Sequence, residues 1–509
     1  MYLLGIDAGT STIKCTVFNE SGKELGTARR SVRLQLFRSG EVEQNPLEIW
    51  KAVRGVVVEC IKKSQIPPKQ IEAVGVTGQA GGMILVDNRG RPYKMISWRD
   101  LRATGLVEDW KNEGKEELFY TITGWPLWPQ FAPVQLAWLA KHDPSLLKRA
   151  NLVFSCSDWI CSRLTSEKKA VAPALIGTID TKRGEYSSEL FQLCDIPELK
   201  RLFPELTQSW TVYGELTREL ARETGLSSGT PVVSAGYDVA CSAAGGNGIA
   251  KGKAVCVLGT SGTNVVVCDQ PIQDLSMNVV CAYHVVPSRW LAISETMSAT
   301  GNPDWFIANF CGEEQRKASQ HSKRVFAYCD DYVRKISAGS DHLIYHPYLS
   351  GETAPFIELN ARASFFGVTH FHTKMHFLRS IYEGVGYSIR HNFEHIESVL
   401  HDTYDEIVLV GGGSHSKVWP QIISDISGKR ISLTRNSENG CTGAALSAVV
   451  ATKQFMSFEK AAERFVHIET TLQPNKQNAA VYNQLFRVYT DLITQYQPQW
   501  NSLARLKGK

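Results

Sequence analysis

A Gly-Thr-Ser turn occurs twice in this chain, as Gly5-Ile6-Asp7-Ala8-Gly9-Thr10-Ser11-Thr12 near the start and as Leu258-Gly259-Thr260-Ser261-Gly262-Thr263 in the second half. Each follows a short apolar run and precedes another, so each reads as a β-hairpin with a small, hydroxyl-rich tip. Such a tip suits phosphate oxygens: glycine lets backbone N–H groups come close, and Thr or Ser adds a hydroxyl donor without bulk. Ordinary hairpin turns use the same residues. Asp7 adds weight to the first loop. A carboxylate ending an apolar strand needs a partner such as a metal ion or its water shell, unless it only caps the turn as an Asx motif. Two such loops point to a polyphosphate held between two related domains.

The elements that must position these loops alternate between strand and helix. Residues 2–6, 13–18 and 24–33 read as three antiparallel strands, and 46–62 as a helix through Leu47, Trp50, Val53, Val57 and Ile61. A strand at 71–76 then ends in Thr77-Gly78-Gln79-Ala80-Gly81-Gly82. Three hairpin strands, a helix and a strand make the core of a ribonuclease-H-like α/β unit. The second half restarts this order with strands at 254–258, 264–267 and 290–295, a helix at 374–398, a strand at 406–410, and helices at 418–427 and 442–452. A strand at 231–236 leads into Tyr237-Asp238, and the glycines at 245, 246, 248 and 252 read as the crossover between domains. Residues 478–495 read as an amphipathic packing helix with Tyr482, Leu485, Tyr489 and Leu492 on one face.

Composition narrows the class. At 509 residues the chain is too long for one core. With 43% hydrophobic and 21% charged residues it reads as soluble and globular, and a net charge of +4 with no basic run argues against nucleic acid and membrane surfaces as partners. The 12 cysteines are scattered with no CxxC pair, which argues against a zinc ribbon and suits a reducing cytoplasm. Asp7 and Lys14 interrupt any signal-peptide core.

The motifs together resemble the FGGY carbohydrate kinases, in particular the xylulokinase-like branch, within the sugar kinase, Hsp70 and actin superfamily. The resemblance rests on the two loops, Thr77-Gly78-Gln79, Trp98-Arg99-Asp100-Leu101-Arg102, Ala235-Gly236-Tyr237-Asp238-Val239-Ala240, Tyr348-Leu349-Ser350-Gly351-Glu352 and Gly411-Gly412-Gly413-Ser414-His415-Ser416-Lys417-Val418-Trp419. It implies an α/β fold of two ribonuclease-H-like, actin-like ATPase domains with an interdomain cleft. Residues 1–245 would carry the first phosphate loop and the sugar, 246–455 would bind ATP, and 456–509 would form a helical tail packed on the second domain.

The same resemblance implies site residues. Asp238 would be the base that accepts the sugar hydroxyl's proton, although its place before a small-residue helix is also that of a plain N-cap. Asp7 would orient Mg²⁺, with Thr10, Ser11 and Thr12 on the transferring phosphoryl group, and Lys14 is either a phosphate contact or a solvated edge residue. Gly259, Thr260 and Ser261 would hold the outer phosphates, and Gly411, Gly412, Gly413 and Ser416 the adenosine. The 411–416 run imitates a dinucleotide fingerprint, but its last glycine is missing and Arg435 and Asn436 stand where an acidic residue is required; a Walker A loop fails at Asn247 and Ala254. Sugar recognition would fall to Gln79, Ala80, Trp98, Asp100, Arg102 and Asp238, with Trp125 or Trp128 as a further wall. The bland alternative is that Asp100 and Arg102 pair with each other on the surface.

The implied substrate is a ketopentose such as xylulose. Many xylulokinases carry Met-His where Ala80-Gly81 stands here, which leaves ribulose, gluconate and a glycerol-like polyol open. An actin- or Hsp70-like ATPase and a silent sugar-binding protein are the rival readings, and a homodimer is compatible with the pattern.

Overall fold

The computed structural model describes residues 1–37, 40–321 and 324–506. The chain forms two compact units: Met1–Lys251 with Val267–Ala292 and Glu438–His467, and Gly252–Val266 with Ile293–Ser437 and Ile468–Lys509. The division is therefore not linear along the chain. A segment from near the C-terminus belongs to the first unit.

In the first unit the strand Tyr2–Ala8 lies inside a six-stranded sheet. It pairs antiparallel with Thr12–Asn19, which pairs with Glu24–Ser31, and on its other side it runs parallel to Ile71–Gly78, itself parallel to Pro231–Tyr237. This is the order the apolar runs suggest. The helix Pro46–Ser64 starts where the Asn45 side chain accepts the Leu47 N–H, with proline in its first turn. It lays Ile49, Trp50, Val53 and Val57 into a core shared with Leu4, Ile6, Val17 and Trp159.

The other face of the sheet is covered at unusually short range. The helix Asn439–Ala451 is rich in alanine and glycine and is buried along nearly its whole length. A Cβ on Gly5 would stand 2.2 Å from the Cys441 carbonyl oxygen, one on Gly75 2.0 Å from that of Ala444, one on Gly443 1.9 Å from that of Cys241, and one on Gly245 2.1 Å from that of Asn439. Glycines thus bring this helix backbone-to-backbone against two central strands and the helix Asp238–Gly245. Gly245, Gly246 and Gly248 are buried at the end of a helix in the first unit, and the division between the units falls between Lys251 and Gly252.

In the second unit residues 262–266 and Ala254–Leu258 form the expected hairpin, and Ala254–Leu258 runs parallel to Glu406–Val410, followed by Arg430–Thr434 and antiparallel Ile468–Leu472. The C-terminal helix extends to Lys476–Arg505, longer than its periodic stretch suggests. Ile493 rather than Leu492 is buried, continuing the four-residue step from Tyr489. Tyr482 ties this helix to Lys374–Leu400, donating to Glu383 at 2.8 Å and accepting from Arg379 at 3.0 Å.

Gly443→Ala should lower the urea midpoint by an amount equivalent to on the order of 3 kcal/mol, because the clash is with backbone that cannot swing away. Gly105→Ala is the control, since no atom lies within 4 Å of the added methyl. It should be neutral or stabilising by up to about 1 kcal/mol.

Candidate active site

Three neighbouring strands of the first unit run parallel and end together. The Cα register pairs Ala8 with Gly78 and Gly78 with Tyr237, so the carboxyl ends deliver Asp7, Gln79 and Asp238 to one edge of the sheet, where open α/β sheets bind ligands. A buried thiol reports their nearness. Burial pushes Cys156 up to about 12, with the Gln79 amide opposing and Asp238 and Asp7 adding to the rise.

Asp7 is only 7% exposed, and its Oδ1 is buried with no hydrogen-bond partner. Its Oδ2 lies 3.7 Å from Lys14 Nζ, the residue opposite it in the hairpin register. Burial pushes the Asp7 carboxyl above the usual carboxylate range; the Lys14 ammonium opposes this and Glu438 adds to it. Burial alone would lower Lys14, but Asp7 and Glu438 outweigh it and hold it protonated. Lys14 is therefore part of an ion cluster, not a solvated edge residue.

Gln79 is buried and donates through Nε2 to Gln44 Oε1 at 2.8 Å, while its own Oε1 has no partner. Gln44 in turn donates to the Thr10 carbonyl at 2.9 Å, and Trp98 Nε1 donates to Thr10 Oγ1 at 2.7 Å. The turn at Thr10, Gln44, Gln79 and Trp98 are thus one hydrogen-bonded assembly. Ser11 is exposed, Thr10, Thr12 and Ala80 are half-buried, and Gly82 N–H donates to the Gln130 carbonyl at 3.2 Å, beside the ring cluster of Trp125, Trp128 and Phe131. Gly81 has φ +72°, and an added Cβ would meet Trp98 Cβ at 3.1 Å. The backbone itself therefore disfavours an imidazole-bearing residue at this place.

Asp100 and Arg102 pair as the bland alternative held, but in the interior. Asp100 is fully buried and accepts the Val42 N–H at 2.6 Å, Arg102 Nε at 2.9 Å and Arg102 Nη2 at 2.8 Å. Arg102 also donates to Glu43 at 2.7 Å and lies over the Trp138 ring. Asp100 and Arg102 thus form a buried ion pair with each other and with Glu43. Asp238 is the first residue of its helix, with Tyr237 at the N-cap position making no side-chain cap bond, so Asp238 is not a plain N-cap. It is half-buried and its Oδ1 accepts the Val239 N–H at 3.0 Å.

The second unit holds the other loop. The Gly259 and Thr260 carbonyls accept the Thr300 and Ala299 N–H groups at 2.9 and 2.7 Å, and Ser261 donates to Glu295 at 3.0 Å. Burial pushes Glu295 above its usual range, with Ser261 and Thr263 opposing. The Gly411–Gly413 turn sits against Leu258 at the root of this loop, where a Cβ on Gly413 would meet Leu258 Cδ2 at 2.4 Å, while nothing stands within 4 Å of Gly412. Ser416 is committed elsewhere: it donates to Asp330 at 2.9 Å and accepts the Trp419 N–H at 3.0 Å. Gln44, Glu295 and Glu438 escaped the sequence reading, since a lone polar residue in an ordinary stretch carries no local signal. Among the described residues no cluster of three acidic, His or Cys side chains could hold a metal.

The model of the N-terminal domain of the FGGY family of carbohydrate kinases matches residues 2–245, and that of the C-terminal domain residues 254–452. A xylulose kinase of Staphylococcus epidermidis is 27% identical over 97% of this chain and 96% of its own. A gluconokinase of Bacillus subtilis is 27% identical over 99% of this chain and 98% of its own. The ligand-bound crystal structure of a xylulose kinase from Lactobacillus acidophilus superposes with a TM-score of 0.88, at 24% identity and covering 99% of each chain.

Glu352 gives a pH signature. It accepts Thr296 Oγ1 at 2.6 Å and Met297 N–H at 3.1 Å, anchoring the strand end that carries Glu295, and burial pushes its pKa up to about 7 despite these donors. Because the folded value lies above the unfolded one, its contribution is full below about pH 4.5 and is lost as pH rises through about 7. Glu352→Gln cannot titrate. Its melting temperature should fall furthest below wild type near pH 5 and approach it near pH 8; a pH-independent gap would show that Glu352 does not titrate in this range.

Proposed function

The chain belongs to the FGGY family of carbohydrate kinases, and on that premise we propose that it transfers the γ-phosphoryl group of ATP to a hydroxyl of a ketopentose such as xylulose, with Asp238 as the base. The observation that carries the site assignment is the pair of buried acceptors without partners, Asp7 Oδ1 and Gln79 Oε1, at adjoining strand ends of one sheet. A buried acceptor without a donor costs stability unless a ligand completes it.

Gln79 Oε1 accepts a sugar hydroxyl, and Trp98, held by Thr10, forms the apolar wall. Asp238 accepts the proton of the attacking hydroxyl as its oxygen bonds to the γ-phosphorus and the bond to the β–γ bridging oxygen breaks, yielding ADP and a sugar phosphate. Asp7 suits Mg²⁺ through its water shell, because one carboxylate with an open oxygen matches the way this ion keeps most of its waters. When bound, Mg²⁺ offsets charge on the phosphate oxygens. The residues assigned to the nucleotide are Thr10, Ser11 and Thr12, Gly259, Thr260 and Ser261, and the Gly411–Gly413 turn. We also place the enzyme in the cytoplasm, where ATP is; in support, no helix among the described residues is long and apolar enough to cross a membrane, and all 12 cysteines are buried and unbridged.

Gluconate is the second reading, favoured by the equal identity to a gluconokinase and by the missing imidazole at Gly81. ADP release measured against xylulose, ribulose, gluconate and glycerol separates them: turnover of gluconate with none of either ketopentose would overturn the first. Asp238→Asn should lower kcat by on the order of 10² to 10⁴ while both substrates still bind. Gln79→Ala should raise the sugar KM by the equivalent of roughly 1 to 3 kcal/mol with the ATP KM little changed. Equal losses for both substrates would show that Gln79 serves the fold and not the sugar.

A further inference from the structure

Asp7, Lys14 and Arg29 stand in one row across three adjacent strands, Asp7 opposite Lys14 and Lys14 opposite Arg29. Over the row sits Glu438, whose side chain is 4% exposed and which immediately precedes the glycine-packed helix Asn439–Ala451. Its Oε2 lies 3.3 Å from Lys14 Nζ, its Oε1 pairs with Arg29, and its backbone N–H donates to Glu24 at 2.9 Å. Two carboxylates and two cations make the row neutral. The Lys14 ammonium lies closer to Glu438, at 3.3 Å, than to Asp7, at 3.7 Å. The helix also presses on Asp7 directly, since a Cβ on Gly440 would meet Asp7 Oδ2 at 2.8 Å.

We propose that Glu438 is a positioning residue for the metal site: it draws the Lys14 ammonium off Asp7 and so leaves the Asp7 carboxylate open to the water shell of Mg²⁺. A lysine ammonium left with Asp7 as its sole carboxylate partner closes on it, because opposite charges in a buried site attract strongly and a compact ammonium on a flexible stem has the reach. Lys14 then competes with the cation. The proposal rests on the assignment of Asp7 to Mg²⁺.

The test is the Mg²⁺ dependence of ADP affinity, measured by calorimetry on the full chain, with melting temperature as a control for folding. Glu438→Gln, nearly isosteric, should raise the Mg²⁺ concentration at half-effect by about tenfold, the usual scale for a group that orients a metal-site residue. Adding Lys14→Met should return that concentration to the value of Lys14→Met alone, because the competing ammonium is gone. Arg29→Gln should leave it unchanged. The proposal is overturned if Glu438→Gln lowers only the melting temperature, if the effects of Glu438→Gln and Lys14→Met add, or if Arg29→Gln reproduces the Glu438→Gln effect. Asp7→Asn tests the underlying assignment separately: it should abolish the Mg²⁺ dependence, and if the dependence persists, Asp7 is not the metal residue and the role given to Glu438 falls with it.

Discussion

The helix Asn439–Ala451 lies against the strands Tyr2–Ala8 and Ile71–Gly78 and the helix Asp238–Gly245 at separations that leave no space for a β-carbon. Much of the first unit follows from that close approach. The strands it touches carry Asp7 next to the end of one and Gln79 just past the end of the other, and the helix it touches begins with Asp238. Backbone packed on backbone has no rotamers with which to relax, so the relative placement of the elements that carry these three residues is set by close backbone contact more than by side-chain choice. A segment more than 400 residues along the chain thereby fixes the strand that carries Asp7.

The charges follow the same logic. Ionised groups stay buried only where partners offset their lost hydration. Lys14, Arg29 and Glu438 satisfy one another beside Asp7, and Asp100, Arg102 and Glu43 do so in the interior near Trp138. In each set the paired groups serve as framework, and the acceptors left open nearby, Asp7 Oδ1 and Gln79 Oε1, are the ones a ligand can complete. In the second unit Glu295 accepts the Ser261 and Thr263 hydroxyls and Glu352 the Thr296 hydroxyl and the Met297 N–H, so carboxylates hold the Gly259–Ser261 loop and the strand end that carries Glu295.

The strands and helices carrying the site were legible in the residues, because alternation of apolar positions, a proline at a first helical turn and glycines at strand ends are local signals with local causes. The two hairpin loops, Asp238 and Gln79 stood out for that reason. Family membership was equally a property of the residues, since it depends on ordered motifs and not on their placement in space.

What the tertiary structure decided was which polar groups are spent and which are open. Asp100 and Arg102 pair with each other in the interior, and Ser416 donates to Asp330 while accepting the Trp419 N–H, none of which the local pattern records. Glu438 looks like nothing in particular until it meets Lys14 and Arg29. Hydrogen-bond partners and desolvation are set by residues far apart in the chain, so a one-dimensional pattern records that a side chain is polar but not what it faces. The sequence by itself determined the fold class, the family and the strand ends that carry Asp7, Gln79 and Asp238; the division of labour among the polar residues came only with the packing.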